Sequence, residues 1–165
     1  MRILGVDPGS RRTGYGLIES SGGRIAHLAH GVIVAGNGEF MDRLATLFTG
    51  LCDIIVEHRP EAVAMEDVFM SRNAASALKL GQARGALIAA CAHCGLKITP
   101  YSPTAVKQAV VGFGRAEKGQ IQHMVQMLLT PPSPMQEDAA DALAVAICHA
   151  NHVHSPSARL AERMT

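Results

Sequence analysis

The stretch that decides the fold is residues 1–20, MRILGVDPGSRRTGYGLIES. Residues 2–7 form an apolar run that is typical of a short buried strand, and this run ends at a carboxylate, Asp7. The Pro-Gly-Ser that follows has the chemistry of a turn, and residues 13–19 resume as a second strand. Asp7 is therefore either an ordinary turn residue before Pro-Gly or a functional group that a buried strand holds rigidly.

The remaining sequence first continues the strand pattern and then alternates between helix and strand. Residues 24–34 predict a third strand after a Ser-Ser-Gly-Gly turn, and a helical spacing of apolar residues runs from residue 40 until Pro60. Further strands are predicted at 62–67 and 96–101, and further helices at 74–94, 104–111, 117–129 and from 137 onward. This order predicts an α/β fold with a mixed sheet and helices on both of its faces.

Length and composition favour one globular domain. With 165 residues, 48% of them apolar, the chain is long enough for a substantial core. We expect the domain to span residues 1–152 and a flexible polar tail to span 153–165. No apolar run approaches the roughly 18 residues of a membrane span, and the first residues do not resemble a secretory signal. The four cysteines lie in apolar segments, which predicts reduced thiols and a cytoplasmic location.

Four carboxylates lie at the ends of predicted elements. Asp7 and Glu66 end strands, while Asp138 and Asp141, three residues apart, share one face in the expected first turn of the last helix. Converging carboxylates repel one another unless a cation neutralises them, and oxygen-only ligands suit Mg²⁺ or Mn²⁺. Each acid taken alone also has a structural explanation as a turn, strand-end or first-turn residue. The combination predicts a divalent-metal site.

The net charge of +1 is compatible with a nucleic-acid partner without indicating one. If four of the 14 acidic residues are metal ligands, the remaining 10 face 15 lysines and arginines. This surplus of positive charge modestly favours a polyanionic partner.

Four segments resemble, in order and spacing, the RuvC family of bacterial Holliday junction resolvases: GVDPGSRRTGYGLIE, AMEDVFMSRNAASALKLGQARGAL, VKQAVVGFGRAEKGQIQHMV and DAADALAVAICHA. The resemblance implies a ribonuclease H-like fold with a five-stranded mixed sheet. It also implies paired symmetric nicks in four-way DNA junctions that leave 5′-phosphate and 3′-hydroxyl ends. In that family Asp7, Glu66, Asp138 and Asp141 match the catalytic carboxylates, which hold two Mg²⁺ ions, with Mn²⁺ expected to substitute.

The same resemblance implies a set of DNA contacts. Lys118 matches a catalytic lysine near the cleaved phosphate, and Lys107 matches a second lysine that contacts DNA. Phe69 matches an aromatic residue that stacks on an unpaired base, although an apolar aromatic can equally fill a core. Arg72 and Asn73 follow it and are candidate contacts to phosphate or base. Without the resemblance, both lysines would be interpreted as solvated surface residues.

The family is dimeric, and we expect a homodimer because two sites match the pseudo-twofold symmetry of a junction. The helix 74–94 is the candidate interface, since Gly81, Gly85 and Ala89 recur every four residues and leave one face almost bare. The alternative is that this face packs on the sheet. Family analogy also predicts partnership with RuvA and RuvB, the branch-migration proteins, and no membrane partner.

Two further motifs have structural interpretations, and three other functions fit the sequence less well. The CAHC motif at 91–94 is interpreted as buried thiols and HANHVH at 149–154 as a frayed helix end. An actin-like ATPase would need a second domain and a second glycine-rich loop. A ribonuclease H-like nuclease for RNA ends would lack the combination of the second and fourth matched segments. A module that only binds branched DNA would not need all four acids.

Overall fold

The structure, a computed structural model, describes residues 1–67 and 73–154. The strands in these ranges are β1 (Arg2–Asp7), β2 (Arg12–Ser21), β3 (Arg24–Val34), β4 (Ala62–Glu66) and β5 (Ile98–Tyr101). The helices are α1 (Phe40–His58), α2 (Ala74–His93), α3 (Pro103–Val111), α4 (Lys118–Leu129) and α5 (Glu137–Val153). None of these helices has the length and apolarity needed to cross a membrane.

The five strands form one mixed sheet in the order β3-β2-β1-β4-β5. The first three strands are an antiparallel meander, whereas β1, β4 and β5 run parallel. The tight turn between β2 and β3 contains Gly22 and Gly23, both at positive φ (58° and 83°), as such two-residue hairpin turns require. The predicted mixed sheet is confirmed, and the meander places β1 at its centre.

Helices cover both faces of the sheet, as predicted. Side chains alternate along a strand, so β1 sends Ile3 into one core and Leu4 into the other. The first core lies between the sheet and α3, α4 and α5, and the second lies between the sheet and α1 and α2. The acids of interest can therefore meet only on one of two well-separated faces.

The boundaries differ from the predicted ones by a few residues. Strand β2 runs from residue 12 to residue 21 because its pairing with β3 continues over this whole length, up to the turn. Strand β5 begins only at Ile98. The helix α5 begins at Glu137, so Asp138 lies in its first turn but Asp141 lies beyond it, which corrects that expectation. The same helix runs to Val153 with His154 as its cap, and the rest of the predicted tail, 155–165, lies outside the described residues.

Candidate active site

Asp7 and Glu66 are the last residues of two neighbouring parallel strands, β1 and β4. Val6 pairs with Met65, so Asp7 and Glu66 are the next residues on β1 and β4. Alternation puts Asp7 on the same face as Gly5, which contacts α5. Both acids therefore project from the centre of the sheet towards the helix that carries Asp138 and Asp141.

The sheet lies very close to α5 at this point. A Cβ added to Gly5 would collide with the carbonyl oxygen of Ala142, and one added to Gly14 would collide with that of Asp138. Glycine at these two positions therefore allows the helix backbone to rest on the strands. Because Gly14 pairs with Asp7, the first turn of α5 lies over the end of β1.

Asp7 experiences the combined charge of the other acids. Its burial, followed by the negative charges of Glu66, Asp141 and Asp138, raises its pKa to about 8, and Lys118 offsets part of that effect. Each of the three other acids therefore lies close enough to Asp7 for its charge to act on that carboxyl group. The structure therefore brings together all four acids that the sequence singled out.

The pKa values of Glu66 and Asp141 are each subject to two opposing influences: burial and neighbouring acids raise them, and basic side chains lower them. Burial and the charge of Asp141 raise the pKa of Glu66, against the lowering effects of Lys107, Lys118 and a hydrogen bond with Asp7. Burial also raises the pKa of Asp141, while the hydrogen bond and charge of Lys118 lower it. Negative charge is thus concentrated in a partly desolvated space whose basic side chains compensate it incompletely.

Lys118 connects this cluster to the beginning of α5. Its Nζ lies 3.0 Å from Oδ2 of Asp141 and also forms an ion pair with Glu137. Burial alone would lower the pKa of Lys118, but the hydrogen bonds and charges of these two acids leave it above its ordinary value. The ammonium group therefore stays charged at the edge of the cluster.

A cleft of about 190 Å³ opens beside these groups. Two predicted acids and both predicted lysines line it together with apolar side chains: Glu66, Asp141, Lys107, Lys118, Pro103, Val106, Ile121 and Ala144. Two lysines facing two carboxylates form a polar opening that is suited to an anionic group which also approaches a cation.

Asp138 has a partner that the sequence did not indicate. Nε of Arg12 donates to Oδ2 of Asp138 at 2.8 Å, and Nη2 of Arg12 donates to Oε1 of Gln136 at 2.5 Å. The alternation of β2 could have placed Arg12 on the face of Gly14 and Gly16, but it could not have identified Asp138 as the partner. That alternation would also have distinguished Arg12, which lies on this face, from its neighbour Arg11.

The remaining predicted DNA contacts fall at the exit of β4. Phe69 and Arg72 lie outside the described residues. Asn73 is the N-cap of α2, where its side-chain oxygen accepts a hydrogen bond from the backbone N–H of Ser76 at 3.1 Å. Its amide oxygen thus has a structural role at the helix start.

Among the described residues, no three His, Cys, Asp or Glu side chains form a group already arranged to hold a metal ion. Asp138 and Asp141 are each paired with a basic side chain. The donor set nevertheless suits a hard divalent cation, because it consists of carboxylate oxygens. The raised pKa of Asp7 gives the same indication, since a cation would relieve the repulsion that causes it.

A protein-family model, curated relatives and solved structures that match this chain include RuvC proteins. The family model described as crossover junction endodeoxyribonuclease RuvC matches residues 3–149. A RuvC from Citrifermentans bemidjiense is 57% identical over 152 residues, which cover 92% of this chain and 93% of the relative. The structure of Thermus thermophilus RuvC matches with a TM-score of 0.83 at 32% identity and covers 93% of this chain and 95% of that one.

The same Thermus protein in complex with Holliday junction substrate also matches. Its TM-score is 0.85 at 31% identity, with 93% of this chain and 94% of that chain covered. The residues 3–149 that the family model matches run from β1 into α5 and therefore include all four acids.

Proposed function

Because this chain belongs to the RuvC family of crossover junction endodeoxyribonucleases, we propose that it resolves four-way DNA junctions at the acidic cluster described above. One observation carries the assignment of the site: Asp7, at the end of the central strand, is buried among three other carboxylates beside a cleft with two lysines. The reaction is the hydrolysis of one phosphodiester bond at each of two symmetric positions.

The carboxylates of Asp7, Glu66, Asp138 and Asp141 would hold two Mg²⁺ ions, or Mn²⁺ in their place. When bound there, the ions would supply activation of a water molecule and stabilisation of the departing 3′ oxygen, in keeping with 5′-phosphate and 3′-hydroxyl ends. For this set to act together, Asp141 must share its oxygens between the site and Lys118, and Asp138 must do so with Arg12. Asp7 lies at the end of β1 and faces both β4, which carries Glu66, and α5, which carries the other two acids. It is therefore the candidate for the ligand common to both ions.

The lysines would act on the DNA. Lys118 presents a charged ammonium group at the cleft, next to Asp141, where it would offset negative charge that develops on the phosphate. Lys107 lines the same cleft from α3 and would bind a phosphate oxygen and so position the strand.

The segment after Glu66 would read the junction. By family resemblance, Phe69 would stack on an unpaired base, a contact worth about 1–3 kcal/mol, and Arg72 and Asn73 would contact phosphate or base. The order of the chain supports this, because the segment follows Glu66 of the proposed metal site and ends at Asn73, the N-cap of α2.

A homodimer would present two sites to the two strands that are cut. The face of α2 that contains Gly81, Gly85 and Ala89 is exposed, so it does not pack on the sheet of its own chain. A Cβ added to Gly81 or Gly85 would meet no atom within 4 Å. A second copy of this helix could therefore approach closely along this face.

The domain extent, the location and the protein partners are proposed from the same family membership. We place residues 1–152 in the nuclease domain and the protein in the cytoplasm, where its four free cysteines would remain reduced. RuvA and RuvB would be its partners, since a branch-migration motor supplies the junction that a resolvase cuts.

The decisive experiment incubates the full chain with a labelled four-way junction and maps the nicks. With Mg²⁺ we expect paired symmetric cuts whose ends a ligase reseals, and with Ca²⁺ or EDTA we expect binding without cutting. Binding without nicks in Mg²⁺ would instead indicate a module that recognises branched DNA by shape. Linear duplex is the control substrate and should be cut far more slowly.

A further inference from the structure

The residue next to Glu66 is tied to the opposite face of the sheet. The backbone N–H of Asp67 donates to the carbonyl of Tyr101 at 2.8 Å, which continues the pairing between β4 and β5 by one residue. Side chains alternate along β4, so Ala64 belongs to the core under α5, while Val63 and Met65 belong to the core under α1 and α2. Asp67 follows Val63 and Met65 and turns away from the acidic cluster.

On that opposite face Asp67 meets an arginine of α2. Nη2 of Arg84 donates to Oδ1 of Asp67 at 2.6 Å, and the Arg84 side chain is only 23% exposed. Its neighbour Ala83 is fully buried and packs in the core under α1 and α2. A cation placed beside an apolar core is costly unless it has a partner, and a short charge-assisted bond supplies one.

The end of β4 is thus fixed through Asp67 by two bonds, one from its backbone N–H and one to its side chain. Glu66 must keep its carboxylate near that of Asp141, and the repulsion between these two groups tends to push the strand end away. Arg84 counteracts that displacement because it holds Asp67, the next residue, from the other side of the sheet.

We propose that Arg84 is a positioning residue for Glu66, and that the Arg84–Asp67 pair couples α2 to the metal site. The proposal rests on the proposed function, since it concerns the geometry of that same site. It also gives α2 a second role besides association, because any movement of this helix would reach Glu66 through one ion pair.

The test measures three quantities on the full chain: the single-turnover rate of junction cleavage, the Mg²⁺ concentration at half-maximal rate, and the dissociation constant for the junction in Ca²⁺. For Arg84→Gln and for Asp67→Asn we expect a rate about 10-fold lower and a half-maximal Mg²⁺ concentration several-fold higher. Junction binding should stay within about twofold of wild type, because neither group contacts DNA in this proposal. The double variant should be no slower than the slower single variant.

The matched control is Lys79→Gln, which removes one positive charge from an exposed position on the same helix. It should keep the wild-type rate and the wild-type Mg²⁺ dependence. The charge exchange Arg84→Asp with Asp67→Arg should recover part of the lost rate.

The possible outcomes separate the alternatives. If the wild type cuts the junction and both single variants keep its rate and its Mg²⁺ dependence, the positioning role is wrong while the proposed function stands. If the variants lose thermal stability without any change in Mg²⁺ dependence, the pair only stabilises the fold and the proposal is overturned. If the wild type itself does not cut, the proposed function fails first. Asp67→Asn keeps the side-chain shape at a half-exposed position, so it tests the pair even if Arg84→Gln does not fold.

Discussion

The helices α5 and α2 cover opposite faces of the same sheet and differ sharply in how much of each is enclosed. Eleven of the 17 residues of α5 are buried, against four of the 20 residues of α2. The enclosed helix carries two of the four candidate metal ligands, and the open helix carries the candidate dimer surface. The proposed chemistry thus belongs to the helix that is largely enclosed, and the proposed association belongs to the helix whose outer face is exposed.

Small residues have opposite uses in these two helices. Around α5 they bring backbones together, because Gly5 of β1 touches the carbonyl of Ala142. On α2, Gly81 and Gly85 point outward and meet nothing within 4 Å of an added Cβ. Small residues therefore permit a close approach, and at α5 the fold shows that the approaching backbone belongs to the same chain.

The largest expected effect concerns the enclosed face. Asp7→Asn should lower the rate of junction cleavage by about 100-fold or more, because it removes the charge of the proposed central metal ligand. Junction binding in Ca²⁺ should remain, since the lysines of the cleft are unchanged. Single-turnover cleavage and an electrophoretic binding assay measure the two quantities.

Its control lies on the other side of the sheet. Asp53→Asn removes an exposed carboxylate from α1 and should cut at the wild-type rate. Cleavage by Asp7→Asn at a rate close to wild type would remove Asp7 from the metal site and leave the enclosed face without its proposed centre.

The second prediction compares the replacement by alanine of one glycine on each face of the sheet. Gly5→Ala should lower the free energy of unfolding by about 3 kcal/mol or more, because its Cβ collides with the backbone of α5. Gly81→Ala should instead raise that free energy by up to about 1 kcal/mol, since alanine favours the helix and its Cβ enters open space. Urea unfolding of both variants tests the difference, and equal effects would contradict the contrast between the two faces.

The sequence was sufficient for the order and type of the elements. Alternating apolar residues and the glycine turn predicted β1, β2 and β3, and the helical spacing predicted α1, as the structure confirms. The position of each acid at the end of an element also predicted that the acids would meet. These features depend on local patterns, which a single sequence contains in full.

The partners of the acids could not be predicted in the same way. Arg12 and Asp138 are 126 residues apart, and Arg84 of α2 is 17 residues from Asp67, immediately after β4, so no local pattern connects either pair. The same is true of Lys118 and Glu137, which come together only because α4 packs beside the start of α5. Long-range ion pairs depend on the packing of helices on the sheet, which periodicity does not specify.

The third prediction concerns the open face. Gly85→Leu should weaken self-association and raise the dimer dissociation constant about 10-fold, since the added side chain would separate two closely packed helices. The fold itself should tolerate the change, because nothing in the described chain lies within 4 Å of a Cβ at this position. Sedimentation at several concentrations measures the association.

Gly38→Leu is the matched control, because it adds the same side chain to another exposed glycine with open space around it. It should leave the association constant unchanged. Equal association of Gly85→Leu and the wild type would move the interface away from this face of α2.

The smallest effect is expected at the far end of α5, away from the acids. His149 is buried there, with Nδ1 3.0 Å from the hydroxyl of Tyr101. Burial, with a smaller contribution from His152, lowers its pKa below the ordinary value. The unfolded chain therefore takes up the proton first, and the free energy of unfolding should fall as the pH drops below about 6.5, the ordinary pKa of histidine.

In His149→Asn this part of the pH dependence should disappear, although the loss of packing also lowers the stability at every pH. The slope of unfolding free energy against pH between about 7 and 5 is therefore the informative measurement. The matched control, His123→Asn, replaces an exposed histidine of α4 and should follow the wild-type slope. An unchanged slope in His149→Asn would mean that the enclosed end of α5 opens enough to admit the proton, and the rigidity assigned to this helix would then be confined to its acidic end.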